Sequence, residues 1–205
     1  MQDHLPLAYG IARNFLSEAE IEEMHDWFCQ RRSDALRLTQ FNGDKLEWGQ
    51  ESQVEGDPIV RQLYGNPDPF KERFPEIFAR ICDLKNQFGD CVGVEASELD
   101  RVDFAQDIRY ITYKDGDYCP WHRDDPTSHF NTIMMISRPG VDFEGGVLQF
   151  HPVNDPVDVN LNLGDAVIYS TPKVDHSVTR CTRGVRKICL VEMKFEELAD
   201  KSRRD

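Results

Sequence analysis

The sequence predicts a mainly β fold with flanking α-helices, an α+β architecture in which a sandwich or closed jelly roll carries helices outside its larger sheet. After residue 100, short strand candidates recur about every ten residues, separated by turn signals such as Gly145-Gly146. Before residue 100, two segments have helical periodicity instead. We expect one domain over residues 1–205, with N-terminal helices and a variable loop in residues 1–100 and the β core in residues 101–195.

The first helix is predicted from a capping box. Ser17 and Glu20 have the Ser-x-x-Glu spacing in which each side chain satisfies a backbone N–H at the start of a helix. The apolar residues that follow share one helical face: Ile21, Met24, Trp27 and Phe28.

A second helix is expected to begin near Pro75, a favourable first-turn residue, and to end at Gly89. Its apolar face consists of Ile77, Ile81, Leu84 and Phe88. Residues 39–70 are polar, contain several Gly and Pro residues and have little periodicity, so we expect one short strand and a long loop there.

Seven later segments combine alternating or apolar character with flanking turn residues. These strand candidates are residues 104–113, 132–137, 147–150, 157–161, 166–169, 176–180 and 188–195.

The composition excludes several classes of function. The formal net charge of -13 repels phosphate backbones, so no nucleic-acid partner is expected, and an anionic ligand would need a cation inside its pocket. The six cysteines form no C-x-x-C pair and are expected to be reduced thiols. No signal pattern and no apolar run of about 20 residues occurs, which favours a cytoplasmic protein without a membrane partner.

One candidate metal site is indicated by His122-Arg123-Asp124, an H-x-D pattern whose outer residues project to the same side of an extended segment. A third ligand must come from elsewhere, and His176, at the start of a strand candidate, is the best candidate. Two imidazoles and one carboxylate suit Fe(II), because they leave coordination positions open. The alternative is a solvated His-Asp pair and an unrelated His176.

A candidate anion site accompanies the metal site. Arg186 shares strand parity with the apolar residues Ile188 and Leu190, and an inward arginine needs an anion to pair with it. Tyr113 faces the same way as Ile111 and can donate a second hydrogen bond to the same ligand. Alternatively, Arg186 is a surface residue and Tyr113 a core aromatic.

Taken together, these motifs resemble one known family. Residues 109–193 resemble the prolyl-4-hydroxylase-like branch of the 2-oxoglutarate/Fe(II)-dependent dioxygenases in the order and spacing of six stretches. These are RYITYKDG (109–116), WHRD (121–124), FEGGVLQF (143–150), GDAVIY (164–169), HSVT (176–179) and RGVR (183–186). One departure is Arg186, where the animal collagen-type enzymes usually have lysine.

The resemblance implies a double-stranded β-helix, a cupin-like jelly roll. It implies that His122, Asp124 and His176 are the iron ligands and form the catalytic centre, and that Arg186 and Tyr113 bind the distal carboxylate of 2-oxoglutarate. The implied activity is that of an oxidoreductase: hydroxylation of an unactivated C–H bond with Fe(II), 2-oxoglutarate and O2, releasing succinate and CO2.

The substrate is expected to be a prolyl residue in a peptide or protein, since members of this branch often act on polypeptides. The residues expected at the pocket mouth are Trp48, Tyr64, Tyr118, Trp121 and Arg138. One alternative is the same chemistry on a free amino acid or small metabolite. Two others are a non-catalytic cupin-like metal- or ligand-binding protein, and a zinc hydrolase with Glu144 as the general base.

Overall fold

This computed structural model describes residues 9–30, 38–39, 45–46, 61–65, 67–124, 128–151 and 155–195. Its helices are α1 (Glu18–Gln30), α2 (Pro67–Arg73), α3 (Pro75–Val92) and α4 (Ala96–Leu99). Its strands are β1 (Tyr9–Ala12), β2 (Leu38–Thr39), β3 (Lys45–Leu46), β4 (Arg61–Gly65), β5 (Val102–Lys114), β6 (Cys119–His122), β7 (Ser128–Met135), β8 (Phe143–Gly145), β9 (Leu148–His151), β10 (Val157–Val159), β11 (Ala166–Ser170), β12 (Asp175–Val178) and β13 (Cys181–Phe195).

Two antiparallel sheets form the body of the fold. Within the described residues, the larger sheet has seven strands in the order β1-β11-β7-β13-β5-β4, with β8 also paired to β13. The smaller sheet has four strands in the order β10-β9-β12-β6. Strand β2 pairs with β3 separately. The sandwich of two β-sheets that the strand spacing predicted is therefore present.

The alternation of side chains along the strands creates two separate cores. On β13, Ile188 and Leu190 pack between the two sheets, against residues of the smaller sheet such as Leu148. Their neighbours Cys189 and Val191 face the other way, toward the helices. Because successive residues of a strand point to opposite faces, one strand serves both cores, and the inner one surrounds the candidate site.

Helices α1 and α3 cover the outer face of the larger sheet, as predicted. The capping box at the start of α1 is confirmed: the N–H of Glu20 donates to Oγ of Ser17 (3.3 Å), and the N–H of Ser17 donates to the Glu20 carboxylate (2.8 Å). Met24 of α1 and Ile81 of α3 are fully buried in the outer core. No helix in the described part of the chain is both long and apolar enough to cross a membrane.

The expected end of α3 at Gly89 is wrong. The helix continues to Val92 and ends at Gly93, whose φ of 75° is the left-handed conformation common at helix ends. Gly89 serves a close contact instead, because a Cβ at this position would lie 2.3 Å from Cδ2 of Leu99. The side chain of Leu99 therefore packs directly on the backbone of α3.

The predicted strands are present with shifted ends, and the structure adds β1, β6 and β8. Strand β6 was missed because it contains Pro120, which lacks an N–H and is tolerated at the edge of a sheet. In residues 39–70 the structure has the last residue of β2, all of β3 and β4, and the start of α2, where one short strand was expected. Much of that segment, including Trp48, lies outside the described residues, as does the side chain of Tyr64.

Gly89→Ala should destabilise the protein by roughly 1–3 kcal/mol, because the new methyl group overpacks against Leu99. An ordinary helical Gly→Ala change has the opposite sign, since alanine is favoured by about 1 kcal/mol. Urea unfolding measures the difference. The double variant with Leu99→Ala should lose less stability than the sum of the two single variants, because the methyl group then fills vacated space. A Gly89→Ala protein more stable than the parent would contradict the contact.

Candidate functional site

Three possible metal ligands converge between the two sheets. His122 is the last residue of β6, His176 lies directly opposite it on β12, and Asp124 follows two residues after His122. One ligand atom from each residue lies within 4.8 Å of the others. Nε2 of His122 is 3.6 Å from Oδ1 of Asp124, and Nε2 of His176 is 3.5 Å from Oδ2. The fold thus brings together the three residues that the sequence related by pattern alone.

Both imidazole rings present Nε2 to this cluster because Nδ1 faces a backbone carbonyl. Nδ1 of His122 is 2.9 Å from the carbonyl oxygen of Pro120, and Nδ1 of His176 is 3.4 Å from that of Val174. A carbonyl oxygen only accepts, so Nδ1 carries the hydrogen and Nε2 of the neutral ring keeps the lone pair that a metal requires.

The electrostatics favour the charged forms of His122 and Asp124 and the neutral form of His176. Burial lowers the pKa of His122, but hydrogen bonds with Asp124 and Cys119 outweigh burial and raise this pKa to about 10. Burial raises the pKa of Asp124, but the two histidines and Tyr169 outweigh it and hold this pKa well below its usual value. Burial lowers the pKa of His176 to about 4, although Asp124 opposes the shift.

Two residues that the sequence analysis did not select contact Asp124. Nδ2 of Asn131 donates to its Oδ2 at 2.7 Å, and the Tyr169 hydroxyl donates to the same oxygen at 2.9 Å. Asn131 has the strand parity of the inward-facing Ile133, so a polar residue on the apolar face of a strand was the available signal. It was missed because the predicted strand began one residue too late.

Arg186 is the largest fully buried side chain of the described residues, with 0% exposure. Among those residues, none of its three guanidinium nitrogens has a hydrogen-bond partner. It lies opposite Tyr113 in the β13–β5 pair, and its guanidinium carbon is 4.9 Å from the centre of the Tyr113 ring. A Cβ on Gly146 would lie 2.9 Å from Cδ of Arg186, so the glycine leaves space for the arginine stem.

A guanidinium without a partner in this position is unfavourable. Burial lowers the pKa of Arg186, although the nearby Tyr113 hydroxyl and the Cys119 and Cys181 thiols oppose that shift. Desolvation penalises the charged form, and an anion bound against the guanidinium would offset the penalty. The arrangement therefore fits an anionic ligand held inside the sandwich.

Arg183 is the other cation of the RGVR stretch, and it faces solvent. Its side chain is 52% exposed and forms an ion pair with Glu144 at 2.9 Å. The carboxylate of Glu144 is itself 55% exposed. The structure thus places Arg186, and not Arg183, between the sheets, and it keeps Glu144 on the surface.

The expected substrate contacts Tyr118, Trp121 and Arg138 lie in different surroundings. The Tyr118 ring packs on the Arg180 guanidinium, whose central carbon is 4.6 Å from the centre of the ring. Trp121 is 45% exposed and packs edge-on against His151, with the ring centres 5.9 Å apart. Because Trp121 directly precedes His122 in β6, the two side chains point to opposite faces of that strand. Trp121 therefore lies on the outer face.

Arg138 is not brought to the three-ligand cluster. It forms an ion pair with Glu18 at 2.6 Å, and its backbone N–H donates to the carboxylate of Asp142. It lines a separate cleft of about 700 Å³, together with the residues at the start of α1. The position of Arg138 along the chain did not reveal that the turn after β7 leads away from the three ligands.

No family model matches this chain, and no curated protein matches it. Several solved structures are similar to this chain. A viral collagen prolyl hydroxylase from Paramecium Bursaria Chlorella virus-1, in complex with 2-oxoglutarate, has a TM-score of 0.61 and 15% identity, covering 92% of this chain and 96% of that chain. A prolyl hydroxylase from Trichoplax adhaerens, in complex with a peptide of the hypoxia inducible factor oxygen degradation domain, has a TM-score of 0.66 and 15% identity, covering 95% and 87%. A 2OG-Fe(II) oxygenase family oxidoreductase from Burkholderia pseudomallei has a TM-score of 0.62 and 16% identity, covering 91% and 85%.

These similarities show the fold. The chain has the double-stranded β-helix of the 2-oxoglutarate oxygenases, and its structural neighbours include prolyl hydroxylases. The fold class predicted from the sequence is therefore confirmed.

Binding of a divalent metal ion should release one proton per ion near pH 7. Metal ligation requires neutral imidazoles, and His122, with a pKa of about 10, is the protonated ligand at that pH. The apparent affinity for Mn(II) should therefore rise about tenfold per pH unit from pH 6.5 to 8. Calorimetry in buffers of different ionisation enthalpy counts the proton. An affinity that levels off above pH 7 would mean that His122 has an ordinary pKa.

Proposed function

We propose that the chain is an Fe(II)- and 2-oxoglutarate-dependent dioxygenase that hydroxylates a C–H bond and releases succinate and CO2. The observation that carries the proposal is Arg186, fully buried with three guanidinium nitrogens that lack partners among the described residues. It lies in the same sandwich as a histidine-aspartate-histidine cluster. A site for a metal ion and a site for an anion are together what a metal-chelating dicarboxylate would require.

The three ligands fit Fe(II). Two imidazole nitrogens and one carboxylate oxygen form a set typical of non-haem iron sites with open positions. His122 and His176 are oriented by backbone carbonyls, and Asp124 is oriented by Asn131 and Tyr169. Such supporting contacts hold metal ligands in place before the ion binds.

Arg186 and Tyr113 fit the distal carboxylate of 2-oxoglutarate. A guanidinium pairs with a carboxylate through two parallel hydrogen bonds, which would satisfy donors that lack partners among the described residues. Burial, followed by the neighbouring Cys119, raises the pKa of Tyr113, so its hydroxyl stays protonated and can donate to the same ligand. The cation also supplies the local attraction that an acidic protein otherwise lacks for a dianion.

When bound together, Fe(II), 2-oxoglutarate and O2 supply the oxidising power for C–H hydroxylation. The residues of this chain bind, orient and shield. The histidines and Asp124 hold the ion, and Arg186 orients the co-substrate. Apolar side chains such as Ile133 and Leu190 lie in the inner core beside the site and shield its inner side.

The rival functions explain less of the geometry. A non-catalytic metal-binding protein has no use for a buried guanidinium such as Arg186. A zinc hydrolase needs a general base beside its metal-bound water, and Glu144, the candidate, is exposed and paired with Arg183.

For the substrate we favour a prolyl residue in a peptide or protein. The Trichoplax neighbour is in complex with a peptide, and the likeness of this chain to prolyl hydroxylases supports the same class. A small metabolite is the alternative.

Arg186→Ala should weaken the binding of 2-oxoglutarate by roughly 2–5 kcal/mol, because it removes a buried charge-assisted contact. The affinity of the Arg186→Ala protein for Mn(II) should stay close to that of the parent. Arg183→Ala is the matched control, since it removes an exposed arginine of the same stretch and should change neither. Tyr113→Phe should cost less, about 0.5–1.5 kcal/mol. Isothermal titration with Mn(II)-loaded protein measures these values, and a larger loss in Arg183→Ala would overturn the assignment of Arg186.

Incubation with Fe(II), 2-oxoglutarate and O2 should release succinate in step with a substrate that gains one oxygen atom. Proline-containing peptides and free amino acids are assayed in parallel by mass spectrometry. His122→Ala, Asp124→Ala and His176→Ala should each abolish turnover. Coupled turnover on a free amino acid with none on any peptide would overturn the substrate choice alone. Full activity in any of the three variants would overturn the proposed metal site.

A further inference from the structure

We propose, on the basis of the function above, that Asn131 and Tyr169 are positioning residues that restrict Asp124 to binding the metal through one oxygen. By occupying Oδ2, they leave Oδ1 as the ligand atom. One more coordination position of the ion then stays open for the co-substrate.

The hydrogen bonds on Asp124 are strongly asymmetric. Its Oδ2 accepts from Nδ2 of Asn131 at 2.7 Å and from the Tyr169 hydroxyl at 2.9 Å. A carboxylate oxygen offers about two lone-pair sites, so these two donors occupy Oδ2. Among the described residues, no side-chain amide or hydroxyl donates to Oδ1, which lies 3.6 Å from Nε2 of His122.

The two donors are held rigidly by the larger sheet. Asn131 of β7 and Tyr169 of β11 are directly opposite each other in the antiparallel pair, and Nδ2 of Asn131 is also 3.3 Å from the Tyr169 hydroxyl. Each residue is only 1% exposed. The Phe150 ring packs against the Tyr169 ring with the centres 4.9 Å apart. The donors cannot turn away from Asp124 without disturbing the core.

The Tyr169 hydroxyl has a second neighbour, Nε2 of His176 at 3.3 Å. Once that nitrogen binds a metal, its lone pair is no longer available to accept. The Tyr169 hydroxyl then donates its one hydrogen bond to Oδ2 of Asp124.

This arrangement would keep the number of open coordination positions on the metal ion from falling. An octahedral ion bound by three protein atoms keeps three positions, enough for a two-point chelate and O2. If Oδ2 also bound the ion, one of the three would be lost. A role limited to satisfying a partly buried carboxylate would stabilise the fold but would not affect co-substrate binding, so the two roles are distinguishable.

The test uses Co(II) as a visible, redox-stable substitute for Fe(II). Parent, Tyr169→Phe and Asn131→Leu proteins are loaded with Co(II) and titrated with 2-oxoglutarate, followed by visible absorption and calorimetry. Both variants should still bind one Co(II), and their dissociation constant for 2-oxoglutarate should rise by about tenfold or more. The Co(II) absorption before 2-oxoglutarate is added should also differ from the parent spectrum, because Asp124 then binds through both oxygens.

Tyr110→Phe is the matched control. Tyr110 is 5% exposed, and its hydroxyl lies 2.7 Å from Nδ1 of His25 in the outer core. This variant removes a buried tyrosine hydroxyl without touching the ligand cluster. It should alter thermal stability but leave the Co(II) spectrum and the 2-oxoglutarate affinity unchanged.

Two results would overturn the proposal. One is a 2-oxoglutarate affinity within twofold of the parent in both Tyr169→Phe and Asn131→Leu. The other is loss of Co(II) binding by folded variants, which would mean that the donors support the metal itself. A parent protein that binds neither Co(II) nor 2-oxoglutarate would instead refute the proposed function.

Discussion

The buried guanidinium of Arg186 is the constraint on which the inner half of this structure depends. Burial of a cation of that size, with no exposure and no hydrogen-bond partner among the described residues, is unfavourable, and an anion bound against it would offset the penalty. The fold accommodates it in specific ways. Tyr113 lies opposite it on the next strand, and Gly146 has no side chain where the arginine stem passes. The apolar residues around it exclude water, which strengthens a charged contact once it forms.

Direct cross-strand pairs bring together the metal-ligand cluster and the residues that support it. His176 lies opposite His122 in the smaller sheet, and Tyr169 lies opposite Asn131 in the larger sheet. Residues that face each other across antiparallel strands are close enough for their side chains to interact. Because a shift of one residue would turn every side chain to the other face, the two registers are strongly specified by the apolar residues beside them. The chemistry thus depends on the same packing that stabilises the two sheets.

Most of the strands, both long helices and the three-ligand cluster could be predicted because each has a local signal. Alternation in β13 distinguishes the inward Arg186 from the outward Arg183, and the Ser17 capping box marks the start of α1. The failures also have local explanations. Gly89 looks like a helix end in sequence, yet it makes a close contact with Leu99. Such a contact joins two elements and leaves no trace in the periodicity of either one.

The sequence by itself determined the fold class and the candidate ligands, because residue type and parity decide which side chains face inward. Only the tertiary structure decided which distant residues meet. It turned Trp121 to the outer face of β6, placed Arg138 beside Glu18 in a separate cleft, and brought Asn131 and Tyr169 onto one oxygen of Asp124. The physical reason is that strand pairing and turn direction are set by the whole core, whereas parity is set by each strand alone.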